Sequence, residues 1–454
     1  MKKIYLLLAI ILFPLASNAQ KSSKKSDLSF DNAIKLALEN NANVKVQSLE
    51  RKVAKKAIYQ KIALGLPSIS VGQNYTDNIE LPAQFFDIDQ DGVQDKLQFG
   101  NRYNAVGGVG VNQLVFDGSY IVAVLASKVL TTQAQENYKK SILQAKQDVS
   151  QAYHLAIVLE KNLEAIETTI KSSKESLKST KAMVKEGFVE NLQADQLNLI
   201  VKNLEINSIN LVNQIYIAHQ LLILHCGLSP ESKLNLTSSI ESLLVSPNAA
   251  QALLTSEFDV SKHVDFKLME SNRMGQKLNL QNEKIQFLPK IYAGYNLNRQ
   301  FVSEDANVFN PDGLQSNNVD FSSWNLSASL PIFNSGGRIA KIQEEKIKLQ
   351  ELDILLKNTE MGLILKHKQA KAEYANSLKI YQLQLESSKV SEQILKNAEV
   401  KLRAGTISSM EYAQVSNQYQ ESITSMLQSA NNTLNKKVAL EASLGQVNGN
   451  NIEK

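Results

Sequence analysis

The chain has 454 residues and a formal net charge of +4, from 49 Lys and Arg against 45 Asp and Glu, a near balance that gives no electrostatic footprint for nucleic acid. An apolar fraction of 43% and an aromatic fraction of 6% exclude a wholly disordered polymer. Only 8 Pro and 19 Gly interrupt that length, so long elements are expected, and a single cysteine, Cys226, excludes an internal disulfide.

Residues 1–19 read as a secretory signal: Lys2 and Lys3, an apolar run from Ile4 to Leu15, then Ser17, Asn18 and Ala19 as a small-residue cleavage site. Gln20 follows, so no new N-terminal cysteine is offered to a lipid. Beyond it no apolar stretch reaches the roughly 18 residues of a spanning helix. The exported chain is then either soluble or part of a β-barrel.

Residues 29–65 predict one helix, with Leu28, Ala33, Ile34, Ala37 and Leu38 setting its stripe, Asp31 near its start and Pro67 beyond its end. From Ser68 the period becomes two: Ile69, Val71, Gln73 and Tyr75 alternate with Ser70, Gly72 and Asn74. A second alternating run, Tyr103 to Phe116, completes a hairpin over 68–116. Its loop holds Asp87, Asp89, Asp91 and Asp95 around Gly92 at calcium-loop spacing, but Gln98 stands where a bidentate Glu closes such a loop. Two readings stay open there, a calcium site or an acidic, solvated loop.

Between Ser119 and Glu186 there is neither Pro nor Gly, predicting a helix about 102 Å long at 1.5 Å per residue. Its apolar stripe steps by three and four from Ile142, Ala145, Val149 and Ala152 to Ile170 and on to Val184, broken only at Ser173 and Thr180. Such a stripe demands coiled-coil partners. After Gly187 the chain doubles back into a helix over 188–226, striped by Leu197, Val201, Leu204 and Leu211. The helices 29–65 and 188–226 together match the long one, so the two are expected end to end beside it.

The pattern is then written again. Gly187 and Gly405 are separated by the same 218 residues (405 − 187) as Gly227 and Gly445 (445 − 227). Leu288-Pro289 repeats Leu66-Pro67 before a second hairpin over 290–330, whose strands run from Lys290 to Phe301 and from Phe321 to Leu330. A second long helical hairpin spans 338–444. The expected organisation is a signal at 1–19, a first repeat at 20–227 with its helical hairpin at 119–226, a connector at 228–265, a second repeat at 266–445 and a tail at 446–454. Trp324, Phe321, Tyr75, Tyr103, Tyr292 and Tyr295 lie in or beside the strands as aromatic girdles.

Four membrane-length strands cannot close a barrel, and open edges in lipid leave backbone groups unsatisfied at a cost of several kcal/mol each. Copies must share one barrel. Two copies give eight strands, whose interior side chains fill, whereas three give twelve and an open lumen. The fold class is therefore mixed: an all-α coiled-coil barrel plus a transmembrane β-barrel, with two tandem repeats per chain and four strands per chain entering a 12-stranded trimeric barrel. Such a tube begins in an outer membrane and extends into a periplasm.

The residues at this point resemble the TolC-like outer-membrane efflux proteins almost end to end over the mature chain. The marks are Leu28-Ser-Phe-Asp-Asn-Ala-Ile-Lys-Leu-Ala-Leu-Glu-Asn-Asn41, the Leu-Pro before each hairpin, Leu114-Val-Phe-Asp-Gly118, Leu330-Pro-Ile-Phe-Asn-Ser-Gly-Gly-Arg338 and the glycine turns at 187 and 405. The resemblance implies a homotrimer in outer-membrane lipid, serving as the exit duct of a tripartite pump or type I secretion system. It also implies docking on a periplasmic adaptor and on an inner-membrane RND-type or ABC transporter. Absence of GxxxxGK[ST] leaves energy to that partner.

By the same resemblance the tips that meet the adaptor are Gly187 and Val189 with Arg403, Gly405 and Ile407. The periplasmic gate falls six and nine residues after the second tip glycine, on Glu411 and Gln414, where the family carries two acids. One carboxylate ring with an amide ring beside it would follow from three-fold symmetry, and a capping box of Ser408 with Glu411 is the competing reading. No cofactor is expected beyond the calcium alternative. His154, His219, His225, His263 and His367 are scattered without metal spacing, and neither a GxSxG nor a phosphate loop supports a hydrolase. The rival class is a periplasmic coiled-coil scaffold or adhesin without transport activity.

Overall fold

The computed structural model describes residues 26–86, 92, 94–244, 247–304, 306 and 317–445. The signal at 1–19, the tail at 446–454 and Asp87, Asp89 and Asp91 lie outside the described residues. In chain order the elements are β1 (Ser26–Leu28), α1 (Phe30–Asn40), α2 (Ala42–Ala63), β2 (Ser68–Asp77), β3 (Ala83–Phe86), β4 (Asp95–Gln98), β5 (Tyr103–Phe116), α3 (Gly118–Lys185), α4 (Asn191–Cys226), β6 (Leu234–Leu236), α5 (Ile240–Leu243), α6 (Pro247–Leu254), α7 (Val264–Ile285), β7 (Lys290–Ser303), β8 (Asn317–Ser329), α8 (Gly337–Arg403) and α9 (Ser409–Ser443). None of these helices is long and apolar enough to cross a membrane.

The long helices stand where the heptads put them, but the helix expected over 29–65 is two helices broken at Asn41. Asn41 leaves the helical region at φ −56° and ψ 129°. Its Oδ1 accepts from the backbone N–H of Asn43 at 2.9 Å and Val44 at 3.4 Å, capping α2, while its Nδ2 donates to the His225 carbonyl at 3.2 Å. Asn competes with the helix for backbone partners and wins as a cap. The first helix is likewise capped by Ser29, whose side chain accepts from Asn32 N–H, with Asp31 inside the first turn. Helix α4 starts at Asn191, three residues later than expected.

The chain divides into two compact units, one formed by residues up to Val46, Lys139–His263 and from Gly362, the other by Gln47–Tyr138 and Val264–Met361. The first unit has two principal apolar cores. One joins Leu28, Ala33 and Ala37 to Val149, Ala152 and Tyr153 of α3, Leu222 and Cys226 of α4, and Leu427 and Ala430 of α9. The other joins Leu177 to Leu197, Val201 and Leu204 of α4, Leu395 and Leu402 of α8, and Tyr412 of α9. Full burial of each such Leu contributes about 1.5–3 kcal/mol. Alongside α3, α4 and α9 runs a groove of about 900 Å³ lined by amides, including Asn162, Asn207, Asn210, Gln214, Gln428 and Asn431. The connector expected at 228–265 contributes β6, α5 and α6, and β6 pairs in parallel with β1, a contact that local pattern did not announce. Tyr153 fixes this corner: its hydroxyl donates to the Leu28 carbonyl at 3.0 Å and accepts from Ser238 N–H at 3.2 Å.

In the second unit the two hairpins form one antiparallel sheet in the order β2-β5-β7-β8. β7 runs two residues past its expected end and β8 begins four before its expected start. A bulge between Leu114 and Phe116 adjusts β5 against β7. Register places the row Ile69, Val111, Tyr295 and Trp324 on one face, next to the row Val71, Val109, Leu297 and Ser322. The other face carries Ser70, Gly110, Asn296 and Ser323, then Gly72, Gly108, Asn298 and Phe321. The aromatic girdle expectation therefore splits. Tyr75, Tyr103, Tyr295 and Trp324 share the apolar face, whereas Phe321 and Tyr292 lie on the polar one, because alternate strand residues face opposite ways. The loop of the first hairpin adds a small antiparallel pair, β3 with β4, and Asp95 opens β4.

Candidate functional site at the helical hairpin tips

Two helical hairpins of the first unit end in turns that the chain makes in the same way. Gly187 and Gly405 adopt φ 78° and 70°, a left-handed conformation that L side chains resist. After α3, Phe188 N–H donates to the Met183 carbonyl and Gly187 N–H to the Val184 carbonyl; after α8, Thr406 and Gly405 do the same toward Lys401 and Leu402. These paired bonds satisfy the last helical carbonyls and stop each helix. The two turns are neighbours, since the Met183 methyl lies 3.5 Å from where a Cβ on Gly405 would sit.

Side chains at the tips divide into an inner and an outer set. Ile407 packs against the core around Tyr412, and Val189 is half-buried. Arg403 is exposed and its guanidinium stands 3.7 Å from the Glu175 carboxylate of α3, a pairing that solvent weakens. Phe188 is 77% exposed and Met410 61% exposed. Neither was singled out from sequence, although a large apolar residue beside a turn glycine, beyond the last core layer, is the signal that finds Phe188.

Glu411 is engaged locally. Its backbone N–H donates to Ser408 Oγ at 3.2 Å, its Oε2 accepts from Ser408 N–H at 2.8 Å and from Ser408 Oγ at 3.1 Å, and these bonds hold its carboxyl below the usual carboxylate range. Gln414, one turn on, is exposed on the same helix side. Behind them Tyr412 is fully buried, with its hydroxyl 3.3 Å from Ser173 Oγ. Ser173, one of the two breaks in the α3 stripe, thus seats a phenol that an aliphatic residue would leave unsatisfied. Burial pushes the Tyr412 hydroxyl above its usual range. Ser172 Oγ donates to Glu399 at 2.5 Å, linking α3 to α8 beside it.

Three of the histidines are held by packing and hydrogen bonds within the helices. His154 is buried, stacked on Phe30 at 5.3 Å and 3.0 Å from Asn435 Oδ1. His367 stacks on Phe258 at 4.7 Å and bonds Ser443 Oγ at 2.9 Å. His219 meets Glu160 at 2.8 Å. Among the described residues no three His, Cys, Asp or Glu side chains converge to hold a metal. Cys226 is fully buried, and desolvation raises its thiol to about 11, so it is inert.

The repeat, the coiled-coil hairpins and the four-stranded sheet find their match in the outer membrane efflux protein family, which aligns with residues 33–227 and 272–446. The chain belongs to that family. It is accordingly an outer-membrane efflux channel with its helical part in the periplasm, a passive conduit rather than an enzyme. Solved structures share the fold: CusC superposes with a TM-score of 0.72 at 16% identity, covering 96% of each chain. The CmeC outer membrane channel of Campylobacter jejuni gives 0.70 at 15%, covering 92% of this chain and 85% of that one. The open-state MtrE outer membrane channel of Neisseria gonorrhoeae gives 0.70 at 14%, covering 92% and 89%. No curated protein sequence matches the chain significantly.

Proposed function

We propose that three copies of this chain close a 12-stranded barrel in the outer membrane and continue as a helical duct in the periplasm. The observation that carries this reading is the sheet order β2-β5-β7-β8, which leaves β2 and β8 as edges among the described residues. An edge in hydrocarbon must find a partner strand, and a second copy supplies one. The face with Ile69, Val71, Leu297 and Trp324 then meets lipid, and the Ser, Asn and Gly face lines a lumen too polar to dewet.

The duct serves a tripartite efflux or type I secretion system, its tips around Gly187, Val189, Arg403, Gly405 and Ile407 docking on a periplasmic adaptor and through it on an RND-type or ABC transporter. Phe188 and Met410 add apolar contact area to that surface. Glu411 and Gln414 form the periplasmic constriction, with the carboxylate held ionised by its cap. In the first hairpin loop the calcium reading of Asp87, Asp89, Asp91 and Asp95 stands beside the solvated-loop reading.

Outer-membrane fractionation with heat-modifiable migration on gels, followed by single-channel recording in planar bilayers, tests the proposal. A heat-dissociated oligomer that conducts is expected. Recovery in the soluble envelope fraction as a non-conducting monomer would overturn it and favour a periplasmic scaffold.

A further inference from the structure

The apolar face of the sheet carries charge at one level. Next to the row of Val71, Val109 and Leu297, on the side of the hairpin loops, the register sets Arg299 opposite Asp320, and two rows further it sets Asp77 opposite Tyr103. Residues two apart in a strand share a face, so these charges stand on the same side as Trp324. Arg299 forks onto Asp320, with Nε donating at 2.5 Å and Nη2 at 2.7 Å. Arg102, just ahead of β5, donates from Nε to Asp77 at 3.0 Å, and its guanidinium lies 4.9 Å from the Tyr103 ring centre. A guanidinium has five N–H donors. These bonds use two of them in Arg299 and one in Arg102, and the two arginine side chains are 56% and 51% exposed.

The ion pair also marks a depth. Lys290, which opens β7 and pairs with Asp117 at 3.4 Å, is nine residues from Arg299 (299 − 290). That is about 30 Å along a strand. At a tilt of about 40° it spans about 23 Å of membrane, close to the roughly 25 Å apolar band of an outer-membrane barrel. Arg299 and Asp320 therefore fall where hydrocarbon gives way to headgroups.

We propose that Arg299 and Arg102 bind the phosphate of a lipid in the leaflet nearest the hairpin loops, sharing their guanidiniums between that phosphate and the two aspartates. The inference rests on the reading above that this face meets lipid, and it names the headgroup chemistry. A lipid whose chains lie along Leu297 and Trp324 brings its phosphate to this level, where the unused N–H groups gain a charged acceptor. Each arginine is matched by an aspartate, so selectivity comes from the remaining directed donors rather than from net charge.

The single tryptophan of the chain, Trp324, reports on this face. The full-length protein is reconstituted in phosphatidylcholine brominated at mid-chain, which quenches a tryptophan on contact, and unbrominated phosphatidic acid is titrated in. Fluorescence should recover at a lower mole fraction than with unbrominated phosphatidylcholine, corresponding to about a five-fold preference. The preference should vanish in the double variant Arg299→Gln/Arg102→Gln. Asp320→Asn, which breaks the same ion pair but leaves the arginine, should keep or raise it. Heat-modifiable migration on gels confirms that each variant is folded. Quenching without a preference for phosphatidic acid, a preference that survives the double variant, or one lost equally in Asp320→Asn overturns the phosphate site while leaving the lipid-facing sheet standing. Absence of quenching by brominated chains removes the lipid-facing sheet, and this site with it.

Discussion

Lowering the pH should loosen the corner where β1 and α1 meet the long helices, and His154 sets the size of the effect. The imidazole is buried, stacked on Phe30 and bonded to Asn435, and burial, aided by the Lys437 charge, holds it at about 4 against an ordinary 6.5. A histidine depressed in the folded state is protonated first in the opened state, so stability is intact above 6.5 and is lost as pH falls toward 4. Between pH 7 and pH 5 the linked loss is about 2 kcal/mol, or roughly a twenty-fold gain in opening. Hydrogen exchange of residues 28–37, corrected for the intrinsic rate at each pH, reads this directly. His154→Gln, which keeps an amide for Asn435 but cannot charge, should show a much flatter profile. If protection is equally steep in wild type and His154→Gln, the buried imidazole is not the group that titrates.

Glycine substitutions should separate by environment. Gly227 has φ 64° and a Cβ there would sit 2.5 Å from the Asn40 carbonyl oxygen, whereas Gly187 has open space around it. Gly227→Ala should cost about 3 kcal/mol and Gly187→Ala about 1 kcal/mol in denaturant unfolding, and equal costs would contradict the close approach. Tyr412→Phe removes the partner of Ser173 inside the core and should lower stability by about 1–2 kcal/mol; a neutral result would mean that Ser173 has another hydrogen-bond partner. Glu411→Ala loses the reciprocal cap with Ser408 and should fray the start of α9 in hydrogen exchange, but unchanged single-channel conductance and divalent-cation block would remove Glu411 from the constriction. Calorimetry of the whole protein with calcium decides the acidic loop, where no heat at millimolar calcium ends the metal reading.

Much of this architecture was readable because it is local. Absence of Pro and Gly between Ser119 and Glu186 anticipates α3 at Gly118–Lys185 to within one residue at each end, since helix continuity depends on neighbours three and four residues away. Strand alternation did the same for β2 and β5. It also separated Phe321 from Trp324 and Tyr292 from Tyr295, three residues apart in a strand, though grouping all the aromatics as girdles passed over that spacing. The glycine turns announced both tips.

Other features needed the chain to come back on itself. Whether Asn41 continues a helix or caps the next one depends on a carbonyl 184 residues away, at His225. Ser173 reads as a defect in a heptad until Tyr412, 239 residues on, brings its hydroxyl. The parallel pairing of β1 with β6 has no local signature at three residues each. Periodicity reports which face of an element is apolar, and so it settled what this protein is made of. Only folding chose which face meets which, because burial makes a polar atom's partner matter more than its neighbours in sequence.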